Sequence, residues 1–188
     1  MPALLSPNQQ RLLGLFYTNP ERSFYMQEVG RILRKQPGVF QRTLNALVDA
    51  GWLISEYRGH ARFFRANTHH SLYPELKRIV AKTSGAEGVL RTLVARLPAV
   101  KLALVYGSFA KGKEREGSDI DLLVVGNPHA EGRLLRAIGR LEKSLQREIN
   151  YKLYSEREYR ARRAKRDAFL QEILSDTVLV LKGTPNAV

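Results

Sequence analysis

Apolar residues recur at helical spacing in three stretches near the start of the chain. The first stretch begins at Ser6-Pro7, a pair that suits a helix N-terminus, and ends at Asn19-Pro20. The second covers about residues 27–34 and contains Gly30, which indicates the close approach of another helix. The third follows a turn at residues 35–38. The pattern predicts three helices, of which the last two form a helix-turn-helix.

The third predicted helix has distinct polar and apolar faces, and a β-hairpin is predicted after it. Its inward residues are Phe40, Leu44, Leu47 and Val48, and its outward residues are Gln41, Arg42 and Asn45. Strand-forming residues fill 51–57 and 61–65, and the basic turn Arg58-Gly59-His60 lies between them. This order of elements resembles the winged helix-turn-helix domain of bacterial and archaeal transcription regulators, over about residues 6–68.

The winged-helix resemblance implies a partner, double-stranded DNA, with the third helix in the major groove. Amide side chains pair with adenine edges and arginine pairs with guanine, whereas lysine and arginine near the turn and hairpin neutralise phosphates. The base-reading candidates are Gln41, Arg42 and Asn45, and the phosphate-binding candidates are Lys35, Arg58 and Arg62. The alternative is that the domain serves only packing or dimerisation.

A second pattern begins after two further predicted helices, which occupy residues 71–97. Residues 102–106 are apolar on both faces, which predicts a central strand, and they run into Gly107-Ser108. A glycine and a serine there, with the amides of a following helix, suit a phosphate. Asp119 and Asp121 lie two apart on another apolar strand, so their carboxylates share one face and can bind one Mg²⁺.

The combined pattern of Gly107-Ser108, residues 110–112 (Ala-Lys-Gly) and residues 117–122 (Gly-Ser-Asp-Ile-Asp-Leu) closely resembles a known signature. It is that of the minimal members of the DNA polymerase β-like nucleotidyltransferase superfamily. The resemblance implies a mixed β-sheet flanked by helices and Mg²⁺ or Mn²⁺ on Asp119 and Asp121. It also implies a nucleoside triphosphate, expected to be ATP, at Gly107 and Ser108, and transfer of its nucleoside monophosphate to a hydroxyl. The alternative is a strand-turn-strand whose aspartates only cap a sheet edge.

The third acidic position of that family falls on a predicted strand at residues 148–154, where Asn150 stands. An amide cannot accept the proton of an attacking hydroxyl. Glu148 is on the same predicted face and is the candidate substitute, although two residues of strand displace it by about 6 to 7 Å. The catalytic candidates are therefore Asp119, Asp121, Asn150 and Glu148.

Basic residues near the signature could neutralise a triphosphate. Lys111, Lys113 and Arg115 are the candidates, and a solvated loop is nearly as good an account of all three. Lys111 is the preferred contact, and Ser118 is a further nucleotide-binding candidate. The basic segment 159–166 suits either nucleic acid or a solvated helix face, and a short apolar strand is predicted near residues 176–183.

The composition favours phosphate-rich partners. The formal net charge is +13, and such a chain attracts polyanions. The sequence has no cysteine and no recognisable secretory leader, which predicts a cytoplasmic protein. It also has no apolar run of about 18 residues, so no membrane partner is expected. A homodimer is expected, because winged helices bind two-fold DNA sites as dimers.

We therefore expect an α+β chain with three parts: a winged helix-turn-helix at residues 1–68, a helical linker at 69–98 and a minimal nucleotidyltransferase domain at 99–188. The predicted function is a DNA-binding transcriptional regulator whose second domain binds a magnesium–nucleotide complex. One alternative is an enzyme that adenylylates a hydroxyl of a protein or small-molecule acceptor. Another is a nucleotide sensor without chemistry, in which nucleotide and DNA affinities are coupled reciprocally.

Overall fold

The computed structural model describes residues 5–112 and 118–187. Its contacts divide the chain into two compact units. The first comprises Met1–Val89 with Lys143–Gln146, and the second comprises Leu90–Glu142 with Arg147–Val188. No helix within the described ranges has both the length and the apolarity needed to cross a membrane.

Between residues 5 and 85, the first unit contains four helices and a three-stranded antiparallel sheet in the order β1-β3-β2. In chain order the elements are α1 (Pro7–Thr18), β1 (Phe24–Tyr25), α2 (Met26–Leu33), α3 (Gly38–Asp49), β2 (Leu53–Arg58), β3 (Ala61–Ala66) and α4 (Tyr73–Thr83). The three predicted helices and the hairpin are all present within one or two residues of their expected bounds. The two-residue strand β1 was not predicted.

Local signals explain the helix ends of this unit. Ser6 caps α1: its Oγ accepts a hydrogen bond from the Gln9 amide at 3.3 Å, and the Gln9 side chain accepts one from the Ser6 amide at 2.8 Å. The prediction that Gly30 lies against another helix is wrong. A Cβ there would lie 2.9 Å from both the Lys35 carbonyl oxygen and Pro37 Cγ, so the close contact is with the turn that joins α2 to α3.

Helix α3 is oriented as its pattern predicted. Phe40, Leu44 and Leu47 are buried in the core of the first unit with residues of α1 and the sheet. Val48 is partly buried against the same core. The opposite face of α3, which carries the predicted base-reading residues, is exposed.

Helix α5 (Ala86–Ala95) precedes the sheet of the second unit. The elements that follow are β4 (Val100–Tyr106), α6 (Gly107–Ala110), β5 (Ile120–Gly126), a 3-10 turn (Pro128–Ala130), α7 (Glu131–Leu145), β6 (Ile149–Tyr154), α8 (Glu156–Ala164), α9 (Ala168–Ser175) and β7 (Leu179–Lys182). The strand order is β6-β5-β4-β7, with β5 and β6 parallel and the other pairs antiparallel. The predicted mixed sheet and the central position of β4 are confirmed.

The central strands are buried on both faces, as predicted from their apolar residues. One face carries Leu102, Leu104, Leu123 and Val125, which pack with Tyr159, Leu170 and Ile173 of α8 and α9. The alternate residues of β4 and β5, among them Ala103, Val105, Leu122 and Val124, are equally inaccessible. The polar residues at the ends of these strands therefore stand on a rigid support.

Candidate functional site

Polar residues gather where three neighbouring strands of the second unit meet. Asp119 immediately precedes β5 and Asp121 lies on it. Asp121 is paired with Asn150 across the parallel β5–β6 ladder and with Tyr106 across the antiparallel β4–β5 ladder. Because directly paired residues lie on the same face of a sheet, these side chains surround one point.

The predicted third position is occupied by an amide that contacts the first aspartate. Asn150 Nδ2 donates a hydrogen bond to Asp119 Oδ2 at 3.0 Å. A carboxylate can only accept hydrogen bonds, so the amino group is the part of the amide that must face it. Asp119, Asp121 and Asn150 are thus brought together as expected.

Glu148 differs from its prediction as a member of β6. The strand begins at Ile149, and Glu148 precedes it as an exposed residue whose carbonyl oxygen accepts a hydrogen bond from the Ile120 amide at 2.9 Å. Its backbone therefore extends the pairing of β5 with β6. Over residues 5–112 and 118–187, no hydrogen bond or ion pair involves its carboxylate.

Gly107 creates space beside Asp121. Its φ is +75°, in the left-handed region, and a Cβ there would lie 2.7 Å from Asp121 Oδ2. Both the backbone angle and the contact favour glycine. Ser108 follows as an exposed residue of α6. A helix begins at Gly107 as expected, but α6 has only four residues, and phosphate binding by its amides stays a prediction.

Two carboxylates in a partly buried position repel each other. The pKa of Asp121 is raised by burial and, secondarily, by the neighbouring Asp119 charge. The pKa of the Tyr106 phenol is also raised, first by burial and then by Asp121 and Tyr154. The oxygen ligands and their mutual repulsion fit one hard divalent cation. Within the described part of the chain, no group of three His, Cys, Asp or Glu residues is placed to hold a metal ion, so the two aspartates have no third ligand of these types.

The cations near this site differ in their partners. Lys111 Nζ forms an ion pair with Asp176 Oδ2 at 2.5 Å, so this preferred phosphate contact is engaged by another residue. The other two candidates, Lys113 and Arg115, lie outside the described residues. Ser118 is half-buried, and its carbonyl oxygen accepts a hydrogen bond from Arg147 Nη1 at 2.7 Å.

Lys152 is a cation that was not predicted from the sequence. It is exposed and lies two residues after Asn150, on the same face of β6. Its Nζ is 3.8 Å from the centre of the Phe169 ring, which contacts the Tyr106 ring edge-to-face at 5.8 Å. The alternation of side chains between the two faces of β6 was the signal that would have identified Lys152.

The predicted DNA-contacting residues lie in the first unit. Gln41, Arg42 and Asn45 are exposed on α3, and Lys35 is exposed in the turn before it. An open groove of about 560 Å³ lies between α3 and the hairpin. The residues lining it include Gln41, Asn45, Tyr57, Arg58, His60 and Arg62.

The two hairpin arginines predicted to contact phosphates are held by neighbouring residues. Arg62 donates to Ser55 Oγ at 2.9 and 3.0 Å and to Asn45 Oδ1 at 2.8 Å, and its guanidinium lies 5.0 Å from the centre of the Phe64 ring. Arg58 forms an ion pair with Glu56. Arg62 therefore joins the hairpin to the exposed face of α3.

Comparison with known proteins identifies the second unit. The profile of the family described as Nucleotidyltransferase domain matches residues 87–180, which are 94 of the 188 residues. No curated protein has a matching sequence. A toxin-antitoxin crystallised with AMP-PNP is similar at 20% identity, with 54% of this chain and 77% of that chain covered and a TM-score of 0.38. A mutant of the toxin-antitoxin MntA-HpeT is similar at 17% identity, with 53% and 74% covered and a TM-score of 0.36.

Proposed function

Because the chain belongs to the Nucleotidyltransferase domain family, we propose that its second unit binds a nucleoside triphosphate with a divalent cation. On separate grounds, we propose that its first unit binds double-stranded DNA. The observation that carries the proposal is the grouping of two carboxylates: Asp121 Oδ2 lies against Gly107, and Asp119 Oδ2 accepts a hydrogen bond from Asn150, the register partner of Asp121. We assign the chain as a transcriptional regulator that responds to a nucleotide.

Each residue of the nucleotide site has a proposed role. Asp119 and Asp121 would hold Mg²⁺ or Mn²⁺, and the chemistry that such an ion supplies is neutralisation of the carboxylates and of the phosphates. Gly107 admits the phosphate chain close to the backbone, and the Ser108 hydroxyl donates to a phosphate oxygen. Lys152 balances the remaining negative charge.

Two residues contribute differently from what the sequence suggested. Lys111 must leave Asp176 before it can contact a phosphate, so its contribution is reduced by the exposed ion pair that it breaks. Lys152 has no carboxylate partner within the described ranges, its Nζ lies over the Phe169 ring, and it is on the face of the sheet that carries Asn150. We therefore rank Lys152 above Lys111 as the phosphate contact. ATP is the nucleotide expected from the family resemblance.

The DNA-binding proposal rests on the order of elements and on the exposed polar face of α3. A helix-turn-helix at α2 and α3, followed by the β2–β3 hairpin, supports a winged-helix assignment. Gln41, Arg42 and Asn45 would reach base edges, and Lys35 and Arg58 would contact phosphates. We propose that Arg62, which bonds Asn45, orients this base-reading amide. A homodimer in the cytoplasm completes this proposal.

The nucleotide-binding half is tested by calorimetric titration of the full chain with ATP, CTP, GTP and UTP in the presence of Mg²⁺. Wild type should bind ATP only with Mg²⁺, and Asp119→Ala/Asp121→Ala should abolish binding because both cation ligands are lost. Glu148→Ala is the matched control, since this neighbouring exposed carboxylate has no contact with the site. Equal affinity of the double variant and the control would contradict the assignment.

The DNA-binding half is tested by selecting bound duplexes from a random pool and measuring their affinity at several salt concentrations. Affinity for the selected duplex should fall steeply with salt, and Arg42→Ala/Asn45→Ala should abolish its preference over random DNA. Arg11→Ala, which removes an exposed arginine of α1, should leave that preference intact. Unchanged selectivity in the double variant would refute the base-reading assignment.

A further inference from the structure

We propose that the nucleotide site holds one divalent cation, that Asn150 takes the place of a second, and that the bound triphosphate is consequently retained without transfer. This inference rests on the proposed function and specifies the number of cations that the same site binds. It differs from the two-cation arrangement that a third carboxylate would create.

The position of Asn150 carries the inference. Its register partner is Asp121, and its Nδ2 lies 3.0 Å from Asp119 Oδ2. The amino group therefore directs a partial positive charge at an oxygen that a second cation would need. A carboxylate pair offers several lone pairs, so the remaining oxygens of Asp119 and Asp121 can still bind one cation.

Among the described residues, no other carboxylate forms a three-ligand cluster with the two aspartates. Glu148 lies outside the strand, and the Glu131 carboxylate accepts a hydrogen bond from the Tyr151 hydroxyl at 3.1 Å. Asp176 is paired with Lys111. Residues 5–112 and 118–187 accordingly contain no cluster of three such ligands.

The same amide explains why transfer does not follow binding. Attack by a hydroxyl requires a group that accepts its proton, and an amide nitrogen or oxygen is far too weak a base at neutral pH. The hydrogen bond from Asn150 also fixes the orientation of the Asp119 carboxylate. The pair of aspartates is thereby prepared to bind a cation, while the position that would activate an acceptor stays neutral.

The test is equilibrium dialysis of the full chain against Mn²⁺ and AMP-PNP, with the excess of each measured in the protein chamber. Wild type should retain Mn²⁺ and AMP-PNP in a ratio of one to one. Asn150→Asp should raise the ratio to two to one, because it removes the donor and adds the missing carboxylate. Asn150→Ala, which removes the donor alone, should keep the ratio at one to one.

The possible outcomes separate this inference from the proposed function. A ratio of two in wild type would overturn the inference and leave nucleotide binding standing. A ratio of one in a folded Asn150→Asp variant would show that residue 150 does not set the number of cations. Failure of wild type to retain AMP-PNP at all would overturn the proposed nucleotide site and the inference with it. The wild-type ratio decides the number of cations by itself, and the Asn150→Asp variant decides whether residue 150 sets that number.

Discussion

Substitution of Gly107 by alanine should damage the nucleotide site far more than it damages the fold. The left-handed backbone, with φ of +75°, costs an alanine about 1 to 2 kcal/mol. The reduced freedom of the unfolded chain offsets about 0.4 to 1 kcal/mol of this. The net loss of unfolding free energy should therefore be about 1 kcal/mol.

The contact made by the new methyl group has a separate effect. It would lie 2.7 Å from Asp121 Oδ2, whereas ordinary contacts begin at 3.4 Å, so the carboxylate must move by about 0.7 Å (3.4 minus 2.7). Metal sites tolerate deviations of only about 0.2 Å in ligand distance. We expect Mg²⁺-dependent ATP affinity to fall by roughly 10- to 100-fold, the range seen when the support of a metal ligand is lost.

Gly59→Ala is the matched control for this prediction. Gly59 has φ of +60°, and nothing lies within 4 Å of the position that a methyl group would take, so it incurs the backbone cost without a clash. Calorimetric titration and denaturant unfolding should show similar stability losses for both variants and loss of affinity in Gly107→Ala alone. If Gly107→Ala bound Mg²⁺-ATP as tightly as Gly59→Ala, the space beside Asp121 would be irrelevant to binding.

Three further predictions concern stability and charge. Burial raises the pKa of Tyr17 to about 12, so the folded state keeps a proton that the unfolded state releases from about pH 10. The unfolding free energy of wild type should therefore fall by about 1.4 kcal/mol per pH unit between pH 10 and 12. Denaturant titrations should show this fall relative to Tyr17→Phe, which has no phenol to titrate. Leu44→Ala should cost about 2 to 5 kcal/mol because Leu44 is fully buried, while Val39→Ala, at an exposed site, should change unfolding by under about 0.5 kcal/mol. Lys152→Gln should weaken ATP binding by roughly tenfold in calorimetry, as expected for a lost charged contact, and an unchanged affinity would remove Lys152 from the site.

Local signals made the helices of the first unit predictable. The Ser6 cap and the apolar face of α3 depend on residues three or four positions apart, so they are visible in the sequence. Strand β1 is different, because Phe24 pairs with Phe64 and a two-residue strand exists only through that distant partner. The error at Gly30 has the same origin, since spacing along the chain signals a close approach but not what approaches.

The site could be predicted where it follows from alternation along a strand. Asp119 and Asp121 were expected on one face, and the interpretation of Asn150 as their neighbour follows the parallel register. The partners of long charged side chains could not be foreseen. The ion pair of Lys111 with Asp176 and the hydrogen bond from Arg62 to Asn45 join residues that only the tertiary structure brings together.

Because β6 is at the edge of the sheet, the side of the site that carries Asn150 should open more often than the side that carries Asp121. Asp121 is on a central strand, whereas Asn150 is on the edge strand β6, whose partner in the sheet is β5. Edge strands detach in local opening events at lower free energy than central strands, and a ligand held across both binds only the closed form. Bound nucleotide should therefore slow the hydrogen exchange of β6 amides, and the apo protein should spend part of its time with Asp119 released from its amide donor.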